Sequence, residues 1–180
     1  MNKCITYARA DVCIIEGCMG LHDSKNGRSE DGSTAQIGKL LNAPVILVVD
    51  GSMMARSVAS MVLGYALYDT KMRLGGVIAN KVSGPVHIQW IRESIETEDR
   101  LQDAYIHPPV SFIGALPHNS QCFIPERHLG LTMPQEQTQN NKNINNKNTK
   151  NNNSFSERCL RMARMVEQHL DLDHLLQLGG

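Results

Sequence analysis

Four short apolar runs, separated by stretches with helical character, constrain the fold of this chain most strongly. The runs are Val12–Ile15, Val45–Val49, Gly76–Ala79 and Val110–Ile113, and they show little alternation between apolar and polar residues. Runs of this kind are typical of strands that are buried on both faces of a parallel sheet. The sequence therefore predicts an α/β fold, with a mostly parallel sheet, flanking helices and right-handed crossovers.

Helices are predicted between and after these strands. Ser33–Leu41 opens with good capping residues, and Met54–Leu67 is small and apolar throughout, which predicts a well-buried helix. Val86–Asp103 is amphipathic, because its isoleucines recur every three to four residues. A final helix is predicted to begin at a Ser156 cap. Its predicted apolar stripe and core methionines are Leu160, Ala163, Val166, Leu170, Met162 and Met165.

Residues Pro134–Ser154 have a different composition from the rest of the chain. Within them, Asn140–Asn153 contains nine Asn and three Lys among fourteen residues. Such a segment cannot bury enough apolar surface to become ordered, so it is predicted to be a disordered insertion without catalytic content. The expected organisation is a main domain segment at 1–133, the insertion at 134–154 and the last helix of the same domain at 155–180.

Charge and cysteine content exclude several functional classes. Lys plus Arg equals Asp plus Glu, at 18 each, and this balance lacks the basic excess that nucleic acids or anionic membranes favour. The five cysteines form no Cys-x-x-Cys pair, so neither a zinc site nor a disulfide framework is expected, and Cys13 is predicted to be a small core residue. The sequence has no secretory signal and no membrane span, which makes a reducing, cytoplasmic setting the expectation.

The first chemically informative segment is Asp11–Asp23, which includes the first apolar run. Glu16 ends that run, and ligands collect at the carboxyl ends of strands in an open parallel sheet. A carboxylate there could hold Mg²⁺ on a nucleotide phosphate, and Gly17 and Gly20 would let the backbone approach a ligand closely. The alternative is a strand-ending Glu that only caps a neighbouring helix.

Polar residues also follow the later strands. Asp50 precedes Gly-Ser, so it could act at a site or merely form a turn. Asn80 offers a donor and an acceptor, which suits the edge of an adenine. Pro117 marks the exit of the fourth strand. Arg127, in the string IPERHLGL, could bind a carboxylate or phosphate through two hydrogen bonds, or form only an ion pair in a surface turn.

Together these segments resemble the synthetase domain of the cobyrinic acid a,c-diamide synthases. The strings that carry the resemblance are EGCMGLHD, GSTAQIGKLLNAPVILVVD, GVIANKV, IGALPH and IPERHLGL. The resemblance runs from Asp11 to Leu131 and resumes in Glu157–Leu178. It implies a P-loop NTPase-like fold similar to that of dethiobiotin synthetase, in a class that also holds cobyric acid synthase and the MinD/ParA-type ATPases.

The resemblance also implies a reaction and residue roles. ATP would phosphorylate a peripheral carboxylate of the corrinoid, and ammonia would displace the phosphate. The implied cofactors are ATP and Mg²⁺. Glu16 would bind the metal, and Asp23 would act beside it near substrate and phosphate. Asn80, Lys81 and Pro117 would contact the nucleotide. The implied substrate contacts are Gly17, Met19, Gly20, Leu21, Arg127 and His128.

Departures from the family pattern predict that the chain is part of an enzyme and inactive alone. No G-x-x-x-x-G-K-[ST] loop occurs in these 180 residues, and the first strand that carries it in the family is missing too. The glutamine amidotransferase domain that would supply ammonia is also absent from the sequence. The missing strand would leave an open sheet edge that favours self-association, so a homodimer remains an option.

Other functions stay open at this point. A close variant of the enzyme would amidate another tetrapyrrole, such as a nickel-containing sirohydrochlorin. The chain could also be a non-catalytic relic or a nucleotide-binding protein of the MinD/ParA type. The MGL and PERHLGL strings favour the enzyme, because the sequence shows neither a membrane-targeting helix nor a basic DNA-binding face.

Overall fold

The structure is a computed structural model that describes residues 10–103, 108–122, 126–127, 130–131 and 155–179. It divides into two compact units. The first consists of Met1–Pro117 with Leu170–Gly180, and the second consists of His118–His169. The Asn-rich segment predicted to be disordered lies outside the described residues, as do the boundaries at 133 and 154.

A three-stranded parallel sheet forms the centre of the first unit, which confirms the predicted α/β class. Its strands are β1 (Val45–Asp50), β2 (Leu74–Val82) and β3 (Ser111–Pro117), in the spatial order β1-β2-β3. The middle strand is buried along Leu74–Ala79, as expected for a strand covered on both faces. Three of the four predicted strands are therefore confirmed.

Helices precede and connect the strands. They are α1 (Thr34–Leu41), α2 (Ser57–Tyr68), α3 (Pro85–Glu96) and α4 (Asp99–Gln102). Ser33 caps α1 as predicted, since its hydroxyl accepts a hydrogen bond from the Gln36 N–H at 3.1 Å. The single helix expected over Val86–Asp103 is broken after Thr97, because Glu98 has an extended backbone with ψ at 101°, and its N–H donates to the Ile95 carbonyl three residues back.

The core of the first unit lies between the sheet and these helices. Its centre is made of aliphatic side chains, as the low aromatic content of 4% requires. The largest fully buried side chains are Leu74, Ile91, Ile95, Leu101, Ile113, Val58, Val62, Val77, Val82 and Val110. A last helix, α6 (Leu172–Gly179), belongs to the same unit, and the Asp171 N–H before it donates to the Ile113 carbonyl at 2.8 Å.

The second unit is described in three pieces. They are a short 3₁₀ turn (Ser120–Cys122), an antiparallel pair of β4 (Glu126–Arg127) with β5 (Gly130–Leu131), and α5 (Phe155–His169). A helix is present where the last one is predicted, but it begins at Phe155, one residue before Ser156, and ends at His169, so the single helix predicted over 155–180 is two helices with Leu170 and Asp171 between them. Leu160 and Ala163 of its predicted apolar stripe are exposed, whereas Met162, Met165 and Val166 are partly buried.

The strand predicted at Val12–Ile15 is wrong. This run has no strand structure, and the exposed fractions of Val12 and Ile14 are 52% and 87%. Cys13, predicted to be a core residue, is exposed as well. The physical reason is that a strand needs a neighbour for its backbone groups, and within the described residues neither edge of the sheet pairs with this run.

Strand β1 is only partly buried, in contrast to the prediction of burial on both faces. Val49 is 3% exposed, but Val48, which points to the opposite face, is 59% exposed. Among the described strands, β1 has a neighbour on one side only, so it forms an edge. Residue composition cannot distinguish an edge strand from a central one, because both are apolar here.

Candidate functional site

The carboxyl edge of the sheet brings together three of the predicted strand-end positions. Asp50 at the end of β1 is the register partner of Asn80 in β2. On the other side of β2, Asn80 faces Leu116 and Val82 faces Pro117 of β3. Because all three strands are parallel, their carboxyl ends meet at one edge, where open α/β sheets bind ligands.

Asp50 is the most connected side chain at this edge. Its Oδ2 lies 2.7 Å from Lys81 Nζ, and its Oδ1 accepts hydrogen bonds from the Ser52 hydroxyl at 2.6 Å and the Ser52 N–H at 3.0 Å. The Lys81 ammonium, followed by the Ser52 hydroxyl, holds the pKa of Asp50 well below its usual range. Asp50 therefore forms the turn after β1 through Ser52, and it also forms an ion pair with Lys81 on the neighbouring strand.

Lys81 has an unusual backbone for a residue within a strand. Its φ is 60°, in the left-handed region that side-chain-bearing residues rarely adopt. With this backbone, the Lys81 N–H donates to Asn80 Oδ1 at 2.9 Å. The Gly51 N–H donates to the Asn80 carbonyl at 2.8 Å. Asn80 is thus held by Gly51, in the turn after β1, and by Lys81 within β2, and its Oδ1 keeps a second lone pair for another donor.

His87 joins the loops that follow β1 and β2, and the sequence reasoning missed it. Its Nδ1 lies 3.2 Å from the Ser83 N–H and 3.0 Å from the Ser83 hydroxyl, and its Nε2 lies 2.6 Å from the Met54 carbonyl. Because the Ser83 N–H needs an acceptor, Nε2 carries the proton and donates to Met54. The sequence offered a signal for this contact, because Ser83 and His87 are four residues apart across the start of α3, and residues at that spacing can contact each other.

The predicted substrate loop, Gly17–Asp23, is packed against the start of α1. Leu21 is 9% exposed, and its carbonyl accepts the Ala35 N–H at 2.9 Å. Asp23 Oδ2 accepts the Gly20 N–H at 3.0 Å, and a Cβ added to Gly20 would lie 2.5 Å from that oxygen. This explains the glycine by close packing. Because Leu21 is buried in the core, only its backbone is left for the predicted substrate contact.

Met19 is presented to solvent from the same loop. Its φ is 60°, and its side chain is 91% exposed. On one side of it, a Cβ added to Gly17 would lie 2.7 Å from Thr34 Cγ2, and on the other side Leu21 is buried. The backbone of the loop is therefore fixed on both sides of Met19, while the Met19 side chain is exposed and is not packed in the core.

Glu16 lies in the exposed segment before this loop. Within the described part of the chain, no hydrogen bond or ion pair joins Glu16 or Asp23 to Asp50, Asn80 or Pro117. The predicted site residues thus form two groups without a direct bond of these kinds between them, the Glu16–Asp23 loop and the carboxyl edge.

The described residues contain no cluster of three or more His, Cys, Asp or Glu side chains that could enclose a metal ion. A magnesium ion that is held mainly by phosphate oxygens and water needs only one or two carboxylates. The exposed Glu16 carboxylate fits that need. Asp50 fits that need poorly, because the Lys81 ammonium already pairs with its negative charge and Ser52 donates twice to its Oδ1.

The PERHLGL string is described only in part. Arg127 lies in β4, which pairs with β5. His128 lies outside the described residues. The predicted roles of both side chains stay predictions.

A shallow cleft of about 370 Å³ lies elsewhere, lined by none of the predicted site residues. Its lining residues are Ala55, Arg56, Trp90, Glu93, Ser94, Thr97 and Glu98. No helix in the described residues is long and apolar enough to cross a membrane.

Comparisons with known proteins agree with the fold. A family model described as AAA domain matches residues 2–125. A cobyrinate a,c-diamide synthase of Caldanaerobacter subterraneus is 44% identical over 133 residues, which cover 74% of this chain and 27% of the relative. One of Dehalococcoides mccartyi is 37% identical over 169 residues, which cover 94% of this chain and 31% of the relative.

A hydrogenobyrinate a,c-diamide synthase of Streptomyces coelicolor is 42% identical over 127 residues, which cover 71% of this chain and 24% of the relative. The chain thus spans about a third or less of the length of the curated relatives it matches. No solved structure matches the chain.

Proposed function

The chain belongs to the AAA-domain family, and over most of its length it is similar to part of the cobyrinate a,c-diamide synthases. From this premise we propose that the chain is a segment of an ATP-dependent amidoligase. The enzyme would convert the a and c carboxylates of cobyrinic acid or a related corrinoid into amides, in the cytoplasm. Ammonia would come from glutamine, through a domain that lies outside these 180 residues.

The observation that carries the proposal is the carboxyl edge of the sheet. Asn80 and Lys81 lie there next to Asp50, at the place where open parallel sheets bind nucleotides. Asn80 offers an amide N–H and a remaining lone pair on Oδ1, which match the acceptor and donor on the edge of an adenine. The nucleotide assignment for Asn80, Lys81 and Pro117 rests on this match.

Glu16 is the carboxylate that would hold Mg²⁺ on the nucleotide. Glu16 is exposed, and within the described residues no hydrogen bond or ion pair engages its carboxylate. The carboxylate is therefore open to a metal ion that is shared with phosphate oxygens. When bound, the metal neutralises charge on the phosphates. Asp23 would act at the same side, with its Oδ2 held by the Gly20 N–H.

The reaction would proceed in two transfers. An oxygen of the corrinoid carboxylate attacks the γ-phosphorus of ATP, and ADP leaves. Ammonia then attacks the acyl carbon of the acyl phosphate, the carbon–oxygen bond breaks, and phosphate leaves with the amide formed. The protein contributes mainly position and charge to such a transfer. Gly17, Met19 and Gly20 would form the corrinoid side of the site.

Phosphate-binding groups would come from outside these 180 residues. The sequence contains no G-x-x-x-x-G-K-[ST] loop, which in P-loop proteins supplies backbone N–H groups and a lysine for the phosphates. We therefore propose that the chain works with the remainder of a longer enzyme and is inactive alone.

A hybrid enzyme tests the proposal. The matched segment of the Dehalococcoides mccartyi relative would be replaced by this chain, and the product would be identified by mass after incubation with a corrinoid acid, glutamine and ATP. We expect diamide that requires ATP. Glu16→Gln should lower kcat by about 100-fold, because charge neutralisation at the phosphates is worth several kcal/mol. Glu96→Gln, an exposed carboxylate on α3, serves as the matched control and should leave kcat unchanged.

The folding of each hybrid would be followed by circular dichroism. A folded hybrid that makes no amide would contradict the proposal. If the first hybrid does not fold, the same exchange in the Caldanaerobacter subterraneus relative, which is 44% identical in the matched region, provides the test.

A further inference from the structure

Asp50 is an acidic residue at the carboxyl edge of the sheet, and the proposed reaction assigns it no role. It is half exposed, yet its two oxygens accept from three donors, namely Lys81 Nζ and the hydroxyl and N–H of Ser52. A residue that only formed the turn after β1 would need the Ser52 contacts alone. The contact with Lys81 instead links the ends of two neighbouring strands.

The hydrogen bonds continue from Lys81 to Asn80. Lys81 is held with φ at 60°, and in this conformation its N–H donates to Asn80 Oδ1 at 2.9 Å. A left-handed backbone is unfavourable for a residue with a side chain, and here it coincides with an irregularity in the pairing of β2 with β3, between Asn80 and Val82. The ion pair from Asp50, at 2.7 Å, adds a contact that holds the Lys81 side chain toward β1.

We propose that Asp50 is a positioning residue, which holds Lys81 so that the Lys81 N–H fixes the side-chain amide of Asn80 in one orientation. This inference rests on the proposed function, in which Asn80 meets the adenine. With Oδ1 turned toward the Lys81 N–H, Nδ2 of Asn80 is the group presented to a ligand. The fixed amide then matches a base that has an acceptor and an amino group side by side, as adenine has at N1 and N6, whereas inosine has the reverse pattern there.

A titration of the full chain with adenosine tests the positioning role, because the nucleoside needs the edge residues but no phosphate-binding groups. Binding would be followed by NMR at millimolar nucleoside, through the side-chain amide of Asn80. We expect Asp50→Asn to weaken adenosine binding by roughly three- to tenfold, the effect of having to order one side chain on binding. The variant should also lose the preference for adenosine over inosine, because a released amide can turn to suit either base.

A matched control is available at another lysine–carboxylate pair. Asp69 pairs with Lys39 in the first unit, away from the strand ends that carry Asn80. Asp69→Asn should lower stability and leave adenosine affinity unchanged. Asp50→Asn should weaken adenosine binding and leave stability unchanged, because its ion pair with Lys81 is exposed and exposed pairs add little to stability. Equal adenosine affinity in the wild-type chain and Asp50→Asn would overturn the inference.

Hydrogen exchange in the absence of ligand separates this inference from the proposed function. The exchange of the Lys81 N–H should be slow in the wild-type chain and clearly faster in Asp50→Asn. Unchanged exchange would refute the positioning role whatever the ligand. If the wild-type chain shows no adenosine-dependent change at Asn80, the nucleotide assignment fails, and faster exchange in Asp50→Asn would still support the positioning role.

Discussion

Two residues with side chains adopt a left-handed backbone in the two groups of the candidate site, Met19 in the Gly17–Asp23 loop and Lys81 at the carboxyl edge. Such residues cluster where surrounding structure forces a particular presentation of a side chain. At Lys81 the surrounding contact is Asp50, and at Met19 it is the packing of Leu21 and Gly17 against α1. At the scale of single residues, both groups therefore have an enforced geometry.

Met19→Gly tests the backbone argument. Glycine suits φ of 60° but increases the freedom of the unfolded chain, and the two effects of about 1 kcal/mol each oppose one another. We expect the free energy of unfolding in urea to stay within about 0.5 kcal/mol of wild type. Met53→Gly is the control, since Met53 is equally exposed, at 93%, and is not in the left-handed region. It should lose about 0.5–1 kcal/mol, and an equal loss in both variants would refute the strain at Met19.

Single-residue roles could be predicted from the sequence only where a strand end supplied the context. The ends of β1, β2 and β3 placed Asp50, Asn80 and Pro117 at one edge, as parallel pairing requires. The contact of Asp50 with Lys81 was not predictable, because it depends on the left-handed backbone of Lys81. His87 was missed because its two partners, Ser83 and Met54, belong to different loops.

Among the secondary-structure elements, Lys39 links three parts of the first unit. It lies in the last turn of α1 and contacts Asp69 after α2 and Glu30 before α1, each at 2.5 Å. Hydrogen bonds to Asp69 and then Glu30 raise the pKa of Lys39, and the Lys39 hydrogen bond lowers the pKa of Asp69. The side chains of Lys39 and Asp69 are 18% and 17% exposed, so this pair is better shielded than a surface pair.

The pH dependence of stability follows from these directions. Because the pKa of Asp69 is lowered by folding, its contribution is complete above its ordinary pKa of 3.8 and is lost as the pH falls through the lower folded value. The contribution of Lys39, whose pKa is raised, is complete below 10.5 and is lost only at more alkaline pH. The cluster therefore stabilises the chain fully at neutral pH.

Lys39→Met should remove this contribution. We expect the free energy of unfolding to fall by roughly 1–3 kcal/mol at neutral pH, the value of hydrogen bonds between charged groups, and by less at about pH 3. Urea unfolding at both pH values gives the difference. Lys25→Met is the control, because Lys25 and Asp31 form an exposed pair, at 64% and 59%. A loss no larger than in that control would show that the cluster does not stabilise the unit.

Elements with local signals were predictable from the sequence, and elements that depend on distant partners were not. The Ser33 cap and the apolar strands β2 and β3 carry their signals within a few residues. Val12–Ile15 has the same composition but no strand beside it in the described residues, so composition alone gave the wrong structure. The break after α3 lies at Glu98, whose extended backbone interrupts an otherwise continuous amphipathic pattern.

At the scale of the whole molecule, the parallel sheet and the similarity to the diamide synthases point to the same function. The described sheet has three strands, and β1 forms one edge with Val48 exposed. The carboxyl edge and the Glu16 loop form separate groups, and the proposed function requires a nucleotide to span them. The base would lie at Asn80, and the metal-bound phosphates would lie toward Glu16.

The KM for ATP of the hybrid enzyme, compared between wild type and Asn80→Ala, tests this placement most directly. We predict that Asn80→Ala raises the KM for ATP about tenfold and leaves the KM for glutamine unchanged, because the lost contacts are those to the base. Asn26→Ala, in an exposed loop, should change neither constant. An unchanged KM for ATP in Asn80→Ala would contradict the assignment of the carboxyl edge to the nucleotide.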